Sequence, residues 1–324
     1  MPSNAKENAV HIWMTLQKAL DLYPEKIGVI DGERALTYRQ IGKRVAALGG
    51  FFKHQGIEAK DCISILDVNS HAFFEAYYAA AAIGAILNPL NYRLAAKEVA
   101  YILNDAGSRW LIAAPRFADM VKGAIKEGVP LEGILWIGEV ADESIPIQCH
   151  NYEDAVCADA EGFEPAPVDE NRIAHLYYTS GTTGQPKGVM LTHKNVCSHA
   201  LGTIAELKLV DTDTWAHVAP MFHLADAWAT FAITWVGGRH VMVGQFEAEA
   251  VMATIEKQKI TLSNLIPTML NLMIKHPRVS EYDFSSLREI LSGGAWWKTY
   301  GRMHSEKSVI PSGHHRSFVQ LQFR

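Results

Sequence analysis

The chain reads as an α/β protein built on mainly parallel sheets. Between residues 61 and 113, short apolar runs of high strand propensity alternate with longer runs patterned at helical spacing. That order puts parallel strands into one sheet with helices on its faces. Composition agrees: of 324 residues, 48% are hydrophobic and 20% charged, which supports a sizeable core and speaks against global disorder. At this length one large or two ordinary domains are expected.

Each element has a local reason. Residues 11–20 carry apolar side chains at helical spacing, and Tyr23-Pro24 ends that run. Residues 26–30 form a short strand, Asp31-Gly32 a hairpin turn, and Leu36-Thr37-Tyr38 the return strand. Thr37 is placed to cap a helix over 38–54 whose buried stripe is Val45, Leu48, Phe51 and Phe52, with Gly56 closing it. Residues 61–68 are a strand, Asn69-Ser70 opens an alanine-rich helix, and Gly84 stops it before a strand at 85–90. A helix over 95–105 and a strand over 109–113 follow, then a strand-like run at 131–137. Residues 154–168 are acidic with Pro165 and Pro167, and read as a surface connection between two subdomains.

Several classes are excluded at this stage. A net charge of -5 opposes a dominant nucleic-acid footprint. Cys62, Cys149, Cys157 and Cys197 are widely spaced without a CxxC pair, so neither a zinc site nor a disulfide framework is indicated. The most membrane-like run, residues 72–90, contains Glu75, and its uninterrupted apolar part is too short to span. A buried helix is the better reading, and a reduced, cytoplasmic setting is expected.

The rest of the chain is organised around Tyr177-Tyr178-Thr179-Ser180-Gly181-Thr182-Thr183-Gly184-Gln185-Pro186-Lys187-Gly188. A buried strand at 173–178 leads in and an apolar run at 189–193 leads out. Glycines allow close approach of backbone to a ligand. Hydroxyls and free N–H groups can surround phosphate oxygens, and a lysine adds a point charge. The string is not a Walker A loop, since Pro186 stands where that motif has its second glycine and Lys187 is followed by glycine. It closely resembles the phosphate-binding signature of the adenylate-forming superfamily, which includes acyl-CoA synthetases, coumarate-CoA ligases, luciferases and peptide-synthetase adenylation domains.

Further strings carry the same resemblance. Asn88-Pro89-Leu90-Asn91-Tyr92-Arg93-Leu94 matches the early region of such enzymes, and no chemistry is assigned to it; Arg93 is expected to be solvated. After a helix over 196–207 and a strand over 214–218 comes Ala219-Pro220-Met221-Phe222-His223-Leu224. In similar proteins this histidine lies at the mouth of the acyl or aryl pocket, and the next helix lines it. Residues 225–235 are small and aromatic, which suits pocket lining and equally suits tight helix packing. A strand at 240–243, an amphipathic helix at 247–257, a strand at 261–266, a helix from Pro267 and a strand at 287–291 follow. Ser292-Gly293-Gly294-Ala295 resembles the adenine-contacting loop.

The resemblance implies a large N-terminal domain of an adenylate-forming enzyme, with subdomains over residues 1–165 and 166–295. It also implies ATP-dependent activation of a carboxylic acid, followed by transfer to coenzyme A. The cofactors and partners implied are ATP, Mg2+, coenzyme A and a small carboxylic acid, with no nucleic acid and no membrane span. By the same resemblance Lys187 and His223 are the catalytic residues, and Thr179 is the metal ligand. The nucleotide is contacted by Thr179, Ser180, Gly181, Thr182, Thr183, Gly184, Lys187, Gly293, Gly294 and Ala295. A medium- or long-chain fatty acid is expected, because residues 225–238 lack a cation for a second carboxylate; an aryl acid is the alternative.

The pattern ends after Ala295. Residues 296–324 hold five Lys or Arg and one acid, a net +4 against -9 for the rest, with no sustained strand or helix pattern. The aromatic-Gly-x-Thr-Glu motif and the lysine-bearing C-terminal domain of such enzymes are absent. This reads as an alternative exon, a frameshift or a truncated gene, so a catalytically silent binding fragment stays open beside the ligase.

Overall fold

The structure is a computed structural model and describes residues 10–139, 145–179, 185–292 and 319–322. In chain order the first half gives α1 (Trp13–Leu22), β1 (Ile27–Asp31), β2 (Arg34–Thr37), α2 (Tyr38–His54), β3 (Cys62–Leu66), α3 (His71–Ile83) and β4 (Ile86–Pro89). It continues with α4 (Ala96–Asp105), β5 (Ser108–Ala113), α5 (Ala118–Lys126), β6 (Gly133–Trp136), β7 (Gln148–Asn151) and α6 (Tyr152–Cys157). The second half gives β8 (Ile173–Thr179), β9 (Lys187–Thr192), α7 (His193–Leu207), β10 (Thr214–His217), α8 (Leu224–Val236) and β11 (Arg239–Met242). Then come α9 (Ala248–Gln258), β12 (Leu262–Asn264), α10 (Pro267–Ile274), β13 (Glu289–Ser292) and β14 (Val319–Gln322).

Local chemistry sets the boundaries. Thr37 Oγ1 accepts the Gln40 N–H at 3.2 Å while Gln40 Oε1 accepts the Thr37 N–H at 2.8 Å, a capping box that starts α2. Ser70 accepts the Phe73 N–H at 3.2 Å and starts α3. Gly84 ends α3 at φ 73°, a left-handed conformation that side-chain-bearing residues rarely adopt.

The strands form two sheets, ordered β7-β6-β5-β3-β4-β8-β9 and β14-β13-β12-β10-β11-β1-β2 among the described residues. Pairing is parallel except at β8–β9, β1–β2 and β13–β14. The sheets do not follow the boundary expected at residues 165 and 166. The early hairpin β1–β2 joins the second sheet beside β11, and the later pair β8–β9 joins the first beside β4. An apolar run shows that a strand exists, but not which strand it pairs with. The tail also departs from expectation, because β14 pairs antiparallel with β13, Val319 opposite Ser292.

Three apolar clusters define the layers. One lies under α4 and α5 on the outer face of the first sheet, and another under α9 and α10 on the outer face of the second. The largest lies between the sheets, where α3 is buried on all sides from residue 72 to 83. A helix that is apolar all round belongs in such a central layer. Glu75 is the charged residue on that helix, and it is matched. Arg44 grips it through Nε–Oε1 at 2.6 Å and Nη2–Oε2 at 3.2 Å, and Tyr152 donates to Oε2 at 2.7 Å. No helix of the described residues is long and apolar enough to cross a membrane.

Candidate functional site

The segment after β3 in the first sheet meets the loop after β10 in the second, both at the carboxyl ends of parallel strands, where α/β sheets place their ligands. Asn69, three residues past β3, clamps the loop after β10. Its Nδ2 donates to the carbonyls of His217 at 2.8 Å and Ala219 at 2.9 Å, and its Oδ1 accepts the Met221 N–H at 2.8 Å. Tyr77 on α3 ties the same loop to β8. Its hydroxyl donates to the Met221 carbonyl at 2.8 Å, so the Tyr177 hydroxyl donates to Tyr77 at 2.8 Å.

Two residues beyond Tyr177, Thr179 stands opposite Lys187 in the antiparallel register of β8 and β9. Both are exposed. The Lys187 ammonium has no protein partner among the described residues. Gly188 follows because its neighbours leave no room: a Cβ there would meet Leu176 Cδ1 at 2.8 Å. Ser180, Gly181, Thr182, Thr183 and Gly184 between the shoulders, and Gly293, Gly294 and Ala295 past β13, lie outside the described residues.

His223 occupies the N-cap position of α8, and its side chain makes no capping bond. Its ring lies 4.4 Å from that of Phe222, which meets Tyr92 edge-on at 5.1 Å. Arg93 covers the rings of Tyr92 at 5.3 Å and Phe222 at 6.0 Å. It is exposed as expected, but stacked. Partial burial, and then the Arg93 charge, hold the His223 pKa below the ordinary histidine value. At neutral pH the imidazole is therefore uncharged, with one donor and one acceptor nitrogen.

Sequence reading missed Asn69, Tyr77 and Asp67. An Asn three residues past a buried strand is a legible cue to loop clamping. The partners of Tyr77 and Asp67 are set only by the fold. Asp67 is 3% exposed, and it accepts from Ser70 Oγ at 2.6 Å and the Val68 N–H at 2.7 Å. Burial pushes its carboxyl up to about 6 despite those bonds. A folded-state pKa above the unfolded one favours folding at low pH, and that contribution is lost as pH rises from about 4 through about 6. We expect Asp67→Asn to be more stable than the parent at pH 7, on the order of 2 kcal/mol, and the gap to close below pH 4. Urea unfolding at both pH values measures it; an equal gap at both would contradict the assignment.

A cavity of about 390 Å³ lined by Lys60, Ile86, Asp169, Asn171, Arg172 and Ile173 lies elsewhere, at the amino ends of β4 and β8. No group of three or more His, Cys, Asp or Glu able to hold a metal occurs among the described residues.

The sequence model of the family described as "AMP-binding enzyme" matches residues 16–299. The chain belongs to the AMP-binding enzyme family. Feruloyl-CoA synthase from an Amycolatopsis species is 32% identical over 273 residues, 84% of this chain and 52% of the relative. The long-chain-fatty-acid–CoA ligase of Thermus thermophilus is 29% identical over 302 residues, 91% of this chain and 54% of the relative. An anthranilate CoA ligase solved with anthranoyl-AMP superposes with a TM-score of 0.81 at 26% identity, covering 88% of this chain and 55% of that one. This AMP-binding chain thus spans about half the length of the curated relatives it matches.

Proposed function

We propose that the chain is the nucleotide- and acid-binding part of an AMP-forming acid–thiol ligase. The observation that carries this reading is the β8–β9 hairpin. It presents Thr179 and Lys187, whose ammonium has no partner among the described residues, at the two ends of residues 180–184, and Tyr177 is linked through Tyr77 to the loop that ends in His223. In the reaction a substrate carboxylate oxygen attacks the α-phosphorus of ATP, the bond to the β-phosphate oxygen breaks, and pyrophosphate leaves. The acyl-adenylate is then attacked by the thiolate of coenzyme A, and AMP leaves. No protein nucleophile is needed, so the work of the chain is positioning and charge stabilisation. Lys187 offsets charge on the outer phosphates. The neutral His223 faces the acid without adding a charge to a carboxylate that must remain nucleophilic.

Magnesium, when bound, neutralises phosphate charge. The exposed Thr179 hydroxyl fits as one oxygen ligand, and the absence of a carboxylate cluster among the described residues suits a cation carried mainly by the nucleotide.

For the acid, a compact aryl body is better supported than the long chain first expected. The Phe231 ring on α8 stacks on His175 at 5.3 Å and meets Tyr77 edge-on at 5.4 Å, so side chains fill the space between α8 and β8. Phe231 lies eight residues past His223, about 12 Å along a helix axis. A pocket that ran from His223 and closed at Phe231 would accommodate an arylpropenoate more readily than an extended long acyl chain. Non-hydrolysable acyl-sulfamoyl adenosines test both points by calorimetry. The arylpropenoyl compound should bind about 100-fold tighter than AMP and tighter than the palmitoyl compound. The reverse order would select the fatty acid, and no gain over AMP for either would contradict the ligase reading.

A further inference from the structure

We propose that Asp226 is a positioning residue for His223, the end of a buried side-chain chain through His217 and His240 to Thr234 that fixes the first turn of α8. This rests on the reading of His223 as the acid-facing group. Trp215, His217, Asp226, Thr230, Thr234 and His240 are all 0% exposed. His217 Nδ1 lies 2.5 Å from Asp226 Oδ2, and Trp215 Nε1–H donates to Asp226 Oδ1 at 3.2 Å. His217 Nε2 lies 2.9 Å from His240 Nδ1, and His240 Nε2 lies 3.0 Å from Thr234 Oγ1.

The proton inventory follows from one carbonyl. Thr234 Oγ1 lies 2.6 Å from the Thr230 carbonyl, which only accepts, so the hydroxyl proton points there. Thr234 Oγ1 therefore accepts from His240 Nε2–H. Burial, and then His217, hold His240 neutral with a single N–H. Its Nδ1 is then bare and accepts from His217 Nε2–H. One proton remains between His217 Nδ1 and Asp226 Oδ2, and the pair is neutral overall whichever atom holds it. Tyr77 faces Asp226 from α3, and Phe74 meets the His240 ring at 4.9 Å.

This chain reaches the site through backbone. The N–H groups of Asp226 and Ala227 donate to the His223 carbonyl at 3.1 and 3.0 Å, and Asn264 Nδ2 donates to the Ala225 carbonyl at 2.7 Å. Apolar packing alone would allow α8 to slide or rotate. A directional bond from β10 to the first turn does not. The first turn in turn holds the His223 ring against Phe222 and under the charge of Arg93.

The test is histidine NMR on the unliganded chain, so its outcome is separate from whether the site binds acyl-adenylate. In the parent, a shared-proton resonance downfield of the ordinary imidazole N–H envelope should be present at neutral pH; its absence would overturn the proton chain. Asp226→Asn should lose that resonance yet leave the His223 titration unchanged, because the amide donates to His217 Nδ1 and accepts from Trp215. Asp226→Leu should move the His223 midpoint up by about half a pH unit as the ring leaves Arg93. Thr234→Val, which takes the acceptor from His240, should shift His223 in the same direction by less, and serves if Asp226→Leu does not fold. Variants that lower stability while His223 titrates as in the parent would show a structural role only and overturn the assignment, as would Asp226→Asn behaving like Asp226→Leu.

Discussion

Arg44→Met is expected to destabilise the fold by about 3–5 kcal/mol, the usual cost of removing one partner of a buried ion pair. Glu75 is 1% exposed and meets Arg44 through both carboxylate oxygens. The same guanidinium holds Glu153 at 2.9 and 3.1 Å, and Arg34 joins Glu153 at 2.7 Å. Burial alone would raise the Glu153 carboxyl, yet Arg44 and then Arg34 hold it down to about 2. Methionine fills much of the volume and leaves Glu75 without a cation in the layer between the sheets. The loss is therefore electrostatic rather than a cavity effect. Arg44→Met with Glu75→Gln should recover part of it, since the uncompensated charge is gone. Denaturant unfolding of the two single variants and the double variant gives the coupling. A cost below about 1 kcal/mol for Arg44→Met would place the pair with ordinary surface bridges.

The same network shows where sequence reading stops. Arg44 falls on the apolar stripe of α2, beside Ile41, Val45 and Leu48, and Glu75 sits inside an alanine-rich helix. Each is an anomaly on its own, and together they mark opposite charges on two buried faces. The sequence holds both cues but not the contact. The cap at Thr37, the stop at Gly84 and the strand–helix alternation were legible because they depend on neighbours within a few residues. Sheet membership was not, since parallel pairing joins β1 to β11 and β4 to β8 across long separations. The strand β14 carries a short local signal: Val319-Gln320-Leu321-Gln322 alternates apolar and polar residues over four positions, too brief to count as a sustained period-2 pattern. At the candidate site, Thr179 and Lys187 fall opposite each other in the β8–β9 register, while the glycines and hydroxyls between them lie outside the described residues. The clamp by Asn69 and the Tyr77–Tyr177 link depend on two sheets meeting, which no local pattern encodes.

Lys187→Ala is expected to weaken ATP by about 10- to 100-fold and AMP by no more than about twofold. Hydrogen bonds to charged groups contribute about 1.5–3 kcal/mol, and tenfold in affinity is 1.4 kcal/mol. Lys187 is exposed at the mouth of the hairpin, so solvent screening keeps the effect at this scale rather than at that of a buried charge pair. Thr179 and the loop backbone remain in the variant, so residual binding is expected. The central claim is that this hairpin grips the phosphates beyond the first. Calorimetric titration of AMP, ADP and ATP into the parent and Lys187→Ala chains tests it most directly. The account predicts affinity that climbs with each added phosphate in the parent and stays nearly level in the variant. Equal weakening of AMP and ATP, or a parent that binds all three alike, would contradict it.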